Sequence, residues 1–98
     1  MVKWGLLLML LLSAQPVLSA DVFRGKQLYM QHCIDCHGSS GEGEMANTPN
    51  FTRGDAMFKG DQELINSLRF GRGVMPGYSG LLEEDELEDV VAYLRTFL

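Results

Sequence analysis

The chain has 98 residues, 46% of them hydrophobic, and carries 13 Asp and Glu against 8 Lys and Arg for a net charge of −5. That length holds one domain at most once any leader is set aside, and the acidic balance argues against nucleic acid, whose phosphates need a basic surface. A protein partner with a basic patch suits such a chain, although acidity also serves solubility.

Residues 1–20 read as a secretory signal peptide. Lys3 supplies a short positive region, Gly5 to Leu12 is a Leu-rich apolar run, and Gln15-Pro16-Val17-Leu18-Ser19-Ala20 has the polar, helix-broken, small-residue ending of a cleavage site. The cut is expected after Ser19 or Ala20. As a membrane anchor the run falls short of the roughly 20 residues that cross a bilayer, and Pro16 interrupts it, so no stable anchor is expected. The working domain is then 21–98, with seven Lys and Arg against thirteen Asp and Glu and a net charge of −6. Domains of this size rarely bury enough apolar surface to stand alone and need a staple of disulfides, metal or cofactor.

Asp21 can cap a first helix that runs through Val22, Phe23, Leu28, Tyr29 and Met30 towards Cys33, with apolar residues at helical spacing. Gly25 interrupts it. A mid-helix Gly costs about 1 kcal/mol against Ala and calls for a reason such as the close approach of another backbone.

Cys33-Ile34-Asp35-Cys36-His37 follows. At this spacing two thiols can add to the two vinyl groups of one porphyrin while the adjacent imidazole ligates its iron, which is the attachment of a haem c. A thioredoxin-type redox pair would sit in a βαβ setting, and no strand-rich pattern surrounds this one. A zinc site would need further ligands, and only His32 is near, too close in sequence to complete a tetrahedron. A structural disulfide across two residues would be strained and close almost no loop. Export agrees with the haem reading, since an exported Cys pair belongs outside the reducing cytosol. One haem would supply the missing staple, and the protein without it should be largely unfolded.

Gly38 to Asn50 reads as loop, Gly54 to Gly60 as room for one helical turn, and Asp61 to Phe70 as a helix capped by Asp61 with Leu64, Ile65 and Leu68 on one face. Gly71-Arg72-Gly73-Val74-Met75-Pro76-Gly77 then breaks regular structure, as expected where backbone lies against a cofactor. The last helix spans about Glu83 to Phe97, with Leu87, Val90, Val91, Leu94 and Phe97 as its buried stripe and its N-cap near Leu82, a poor capping residue. Six acids between Glu83 and Asp89 crowd its first turns, where the macrodipole favours negative charge. Met30, Met45, Met57 and Met75 are candidates for a second iron ligand. Arg53, Lys59, Arg69 and Arg72 are candidates for the haem propionates, with Arg72 beside the glycine-rich strip. His32 is expected to be exposed or hydrogen-bonded, because a thioether at Cys33 would fix it beside the ring edge.

Together these landmarks resemble the class I cytochromes c over nearly all of residues 21–98. Gly25-Lys26-Gln27-Leu28-Tyr29 looks like the family's first helix and Val90-Val91-Ala92-Tyr93-Leu94 like its partner on the last helix. The resemblance implies an all-α fold of three to four helices wrapped around one covalent haem, with the terminal helices crossing at Gly25 and Tyr93. It implies that Cys33 and Cys36 hold the haem, that His37 and Met75 ligate the iron, and that the Pro49 carbonyl accepts a hydrogen bond from the His37 imidazole. Thr48 stands where the family has Gly. Phe51 follows into the pocket, and Arg72 stays a candidate for a propionate because it sits beside the Met75 loop. The only Trp, Trp4, lies in the leader, so a Trp contact to a propionate has no counterpart.

The function these features imply is that of a periplasmic, monomeric, monohaem electron shuttle that docks transiently with redox partner proteins and is not an enzyme. Two other readings stand beside it. Without Met75 on the iron, the site would be open to a diatomic gas or peroxide. As a haem subunit or assembly factor dedicated to one periplasmic enzyme, the chain would use its acidic helix as an interface.

Overall fold

The computed structural model describes residues 19–98. Residues 1–18, and with them most of the expected leader, lie outside the described residues. Four helices follow in order: α1 (Val22–His32), α2 (Ile34–His37), α3 (Asp61–Phe70) and α4 (Glu84–Leu94), with 3₁₀ turns at Phe51–Arg53 and Arg95–Phe97. Among the described residues there is no β-strand, only isolated bridges between Arg72 and Met75 and between Ser79 and Leu82.

Asp21 caps α1 as expected, in extended backbone with its carboxylate accepting from the Arg24 N–H at 3.1 Å. The most extensive helix packing is α1 on α4. A Cβ placed on Gly25 would lie 1.9 Å from the Asp89 carbonyl oxygen and 3.0 Å from the Tyr93 Cβ, so the two backbones touch at this residue. Leu28 and Tyr29 from α1 meet Leu87, Val90, Val91 and Leu94 from α4 in the core. The Tyr29, Tyr93 and Phe97 rings then interlock with centroids 5.1 to 5.3 Å apart. Side chains of this size contribute about 1.5–3 kcal/mol each when fully buried. Phe23, expected on the apolar face, is instead 83% exposed.

Local starts and stops differ from the sequence expectation where backbone decides them. The N-cap of α3 is Gly60 in extended conformation, and Asp61 is the first helical residue. Asp61 pairs instead with Arg95, whose Nη2 donates at 2.8 Å. The helical turn expected within Gly54 to Gly60 falls earlier, at Phe51–Arg53, because the Asn50 side chain accepts from the Thr52 and Arg53 N–H groups. Gly54, at φ 93°, ends it. The N-cap of α4 is Glu83 rather than Leu82, and the Glu86 carboxylate accepts from the Glu83 N–H at 2.9 Å, as in a capping box. That helix is α-helical only to Leu94, and its last turn tightens to 3₁₀.

Candidate haem site

The chain closes around a cavity of about 620 Å³ walled by Leu64 and Leu68 of α3, Val90 and Leu94 of α4, and Tyr29 and His32 of α1. Every site residue expected from the sequence lines it: Cys33, Cys36, His37, Pro49, Phe51, Arg72 and Met75. These come from three separate stretches of chain.

The α2 segment presents the motif. Cys33 and Cys36 are both free thiols, the first half-buried and the second exposed. Burial, and then the neighbouring Cys36, push the Cys33 thiol up to about 11. The His37 ring stacks on Phe51 with centroids 5.1 Å apart and planes 17° from parallel. Burial lowers its basicity below the usual imidazole value, which favours the neutral ring that can offer a lone pair. Its Nδ1 is buried without a hydrogen-bond partner.

That orphan nitrogen corrects one expectation. Pro49 lines the cavity, but its carbonyl does not accept from His37. The Thr48 and Pro49 carbonyl oxygens lie against Gly43, 3.0 and 3.2 Å from where its Cβ would be. Gly43 is itself held by its N–H to the His37 carbonyl at 2.8 Å. The loop thus lays both carbonyls on Gly43 rather than on the imidazole.

The Met75 loop is clamped first by its backbone. Arg72 and Met75 exchange hydrogen bonds of 3.1 and 2.9 Å. Gly71 and Gly77 fold over the end of α3 so tightly that a Cβ on Gly71 would lie 2.6 Å from the Met75 carbonyl oxygen, and one on Gly77 2.7 Å from the Phe70 carbonyl carbon. Of the other methionines, Met45 also lines the cavity, in a segment whose N–H bonds the Cys36 carbonyl at 3.1 Å, whereas Met57 is buried in the core. Among the four cations, Arg53 pairs with Asp55 at 2.9 Å and Arg69 with Glu84. Lys59 and Arg72 line the cavity.

Two tyrosines complete the site in ways that spacing alone did not reveal. The Tyr29 hydroxyl donates to the Gly38 carbonyl at 2.6 Å, which fixes the residue after His37. The Tyr78 hydroxyl donates to the His32 carbonyl at 3.2 Å, and its N–H bonds the Leu68 carbonyl at 2.8 Å, tying the Met75 loop to the residue before Cys33. Their only sequence signal was an aromatic residue near each motif. His32 sits edge-on to the Tyr78 ring, with centroids 5.9 Å apart.

Residues 20–94 match the family described as cytochrome c oxidase, cbb3-type, subunit III. The chain belongs to this family of c-type cytochromes. A cytochrome c6 of Thermosynechococcus vestitus is 30% identical over 88 residues, covering 87% of this chain and 79% of the relative. The cbb3-type cytochrome c oxidase subunit FixP of Bradyrhizobium diazoefficiens is 29% identical over 79 residues, and the chain spans only 27% of that protein's length. The solved structure of the KustC0563 c-type cytochrome superposes with a TM-score of 0.67 at 27% identity, covering 74% of this chain and 95% of that one.

The fold is therefore the all-α class I cytochrome c fold, and this cytochrome carries a covalently bound haem c with its iron. The residues present fit that group. Two free thiols and a neutral imidazole face an apolar cavity whose volume lies in the range of cofactor sites, about 300–1,000 Å³. Among the described residues no cluster of three or more His, Cys, Asp or Glu could hold a separate metal ion, and no helix is long and apolar enough to cross a membrane.

Proposed function

We propose that this cytochrome is an exported, periplasmic, monohaem electron carrier whose haem is attached at Cys33 and Cys36 and ligated by His37 and Met75. The observation that carries this reading is the convergence of those four side chains on one cavity, although Met75 lies far along the chain from the motif. When bound, the haem iron supplies a one-electron couple, which a thioether ligand shifts towards Fe(II).

The chain's own residues have defined tasks in this scheme. Phe51 holds the His37 ring at a fixed pitch by stacking. Gly71 and Gly77 hold the Met75 backbone against α3. Leu64, Leu68, Val90 and Leu94 exclude water, which strengthens the local field and limits the rearrangement that accompanies a change of charge. Arg72 and Lys59 remain for the propionates, since Arg53 and Arg69 already have carboxylate partners. With His37 and Met75 both holding the iron, no coordination site would be left for a substrate, and the chain would do no bond-making chemistry of its own. Partners dock transiently at the cavity mouth, where Val74 is 88% and Met45 50% exposed.

A second reading is favoured by the likeness to an oxidase subunit of which this chain spans about a quarter: a haem unit dedicated to one larger enzyme. The acidic helix gives it little support as an interface. Glu83 and Glu86 form the α4 cap, Asp85, Glu86 and Asp89 pair with Arg24, and Glu84 pairs with Arg69.

A redox titration followed by the visible spectrum tests the carrier reading. The ferric protein should show the weak long-wavelength band of a thioether ligand, and Met75→Ala should abolish it and let the ferrous form bind carbon monoxide. Absence of the band in the unaltered protein, with ready carbon monoxide binding, would sink the carrier reading. Co-purification with a single large partner would select the dedicated subunit.

A further inference from the structure

Asp89 is a carboxylate with 5% exposure, set where α1 crosses α4. A charge so placed needs cationic or strongly dipolar partners. Its Oδ2 lies 3.5 Å from the Arg24 Nε, but that guanidinium is shared with Asp85 at 3.4 Å and Glu86 at 3.3 Å. Three α4 carboxylates thus draw on a single guanidinium, and the Asp21 carboxylate stands close by as the cap of α1. The shortest contact Asp89 makes is to a neutral group: Oδ1 accepts from the backbone nitrogen of Asp21 at 2.7 Å.

That nitrogen belongs to one of the two peptide bonds at which the leader can be cut. We infer that the mature chain begins at Asp21 and that Asp89 is the built receptor for its α-ammonium, so that leader removal itself supplies the missing cation at the helix crossing. The inference rests on the export reading above. In the cleavage, water breaks the Ala20–Asp21 C–N bond under a leader peptidase. The hydroxyl goes to the Ala20 carbonyl carbon, whose acid ionises, and the Asp21 nitrogen takes the remaining hydrogen and a proton to become an ammonium. A 2.7 Å amide contact then becomes a charge-assisted hydrogen bond to a buried carboxylate.

The geometry separates the two candidate cuts. Cleavage after Ser19 would leave the ammonium on Ala20, an exposed residue, and Asp21 N would stay a neutral amide. Cleavage after Ala20 puts the positive charge on the atom already bonded to Asp89. The helix macrodipole disfavours a cation at the N-terminus of α1, and the carboxylates of Asp21 and Asp89 oppose that effect at close range.

The test begins with the full precursor, expressed in a bacterium that attaches haem to exported cytochromes, and the intact mass of the purified holoprotein. A mass equal to haem plus residues 21–98 is expected. A chain starting at Ala20 overturns the inference and leaves leader cleavage standing, whereas a holoprotein with a retained leader overturns both. The receptor role is tested by exporting residues 21–98 and residues 20–98 behind a leader with a fixed cut, each with Asp89 and with Asp89→Asn. The α-amino group of the Asp21 form should titrate above the ordinary range of about 7.7–8.0, and Asp89→Asn should return it there. The Ala20 form should titrate in that range with either residue. The Tm lost on Asp89→Asn should be larger in the Asp21 form. An ordinary titration in the Asp21 form, or equal Tm losses in both, overturns the receptor role. If Asp89→Asn does not accumulate, the comparison of the two starting residues decides alone.

Discussion

Gly25 shows how one hydrogen atom in place of a methyl group can set a fold. Its Cβ would sit 1.9 Å from a backbone oxygen of α4, where no rotamer change can relieve the clash, so the helices must part. Overpacking of this kind typically costs about 1–3 kcal/mol, and the rigid target here places Gly25→Ala at the upper end, despite the roughly 1 kcal/mol that Ala adds to helix propensity. Denaturant unfolding of the holoprotein should show this loss; an unchanged midpoint would mean that the helices cross elsewhere. Tyr78 acts through its hydroxyl. Removing its bond to the His32 carbonyl forfeits about 1 kcal/mol, which loosens the Met75 loop but leaves the ring packing. On the proposed His37 and Met75 ligation, Tyr78→Phe should therefore raise the rate at which added imidazole displaces Met75 by about fivefold, with the unfolding midpoint lowered by no more than that same roughly 1 kcal/mol. Stopped-flow mixing of the ferric protein measures it.

At the scale of elements, the segment before α3 is bound to the end of α4 by one side chain. Arg95 donates from Nη1 to the Met57 carbonyl and from Nη2 to the Lys59 carbonyl, both at 2.7 Å, and also meets Asp61. Asp61 is 72% exposed, and an exposed pair is worth about 1 kcal/mol at most, so the carbonyls dominate. Arg95→Leu should cost about 2 kcal/mol, Asp61→Asn much less, and Arg95→Lys should restore only part, since a single ammonium lacks the planar fork that spans three acceptors. Equal losses for Arg95→Leu and Asp61→Asn would point to the ion pair instead. The helices themselves were legible in the sequence, because α1, α3 and α4 each carry an apolar stripe and Gly25 already demanded a close neighbour. Their caps were less so. Gly60 and Glu83 cap through backbone conformation and a reciprocal side chain, which residue preference alone does not reveal. The convergence of Cys33, Cys36, His37 and Met75 was legible from motif and resemblance. The carbonyls reached by Tyr29 and Tyr78 were not, since only the folded chain brings a hydroxyl to a residue 46 positions away.

For the whole molecule, the cavity sets the terms of stability. A cavity of about 620 Å³ leaves the side chains around it without packing partners on one side, and a bound haem would supply those contacts. Domains of this size rarely stand alone without a staple, so the cofactor is part of the fold rather than a guest in it. Replacing both Cys33 and Cys36 by Ala prevents covalent attachment and leaves His37 and Met75 in place. Without added haem, the purified double variant should show little helical signal in far-ultraviolet circular dichroism and no cooperative thermal transition, while the unaltered holoprotein shows both. Adding free haem should restore part of the helix, because the cavity walls, His37 and Met75 are unchanged and only the covalent tether is missing. A haem-free variant that melts cooperatively with near-native helix content would show instead that the α1–α4 crossing, with its interlocked Tyr29, Tyr93 and Phe97, holds the fold by itself.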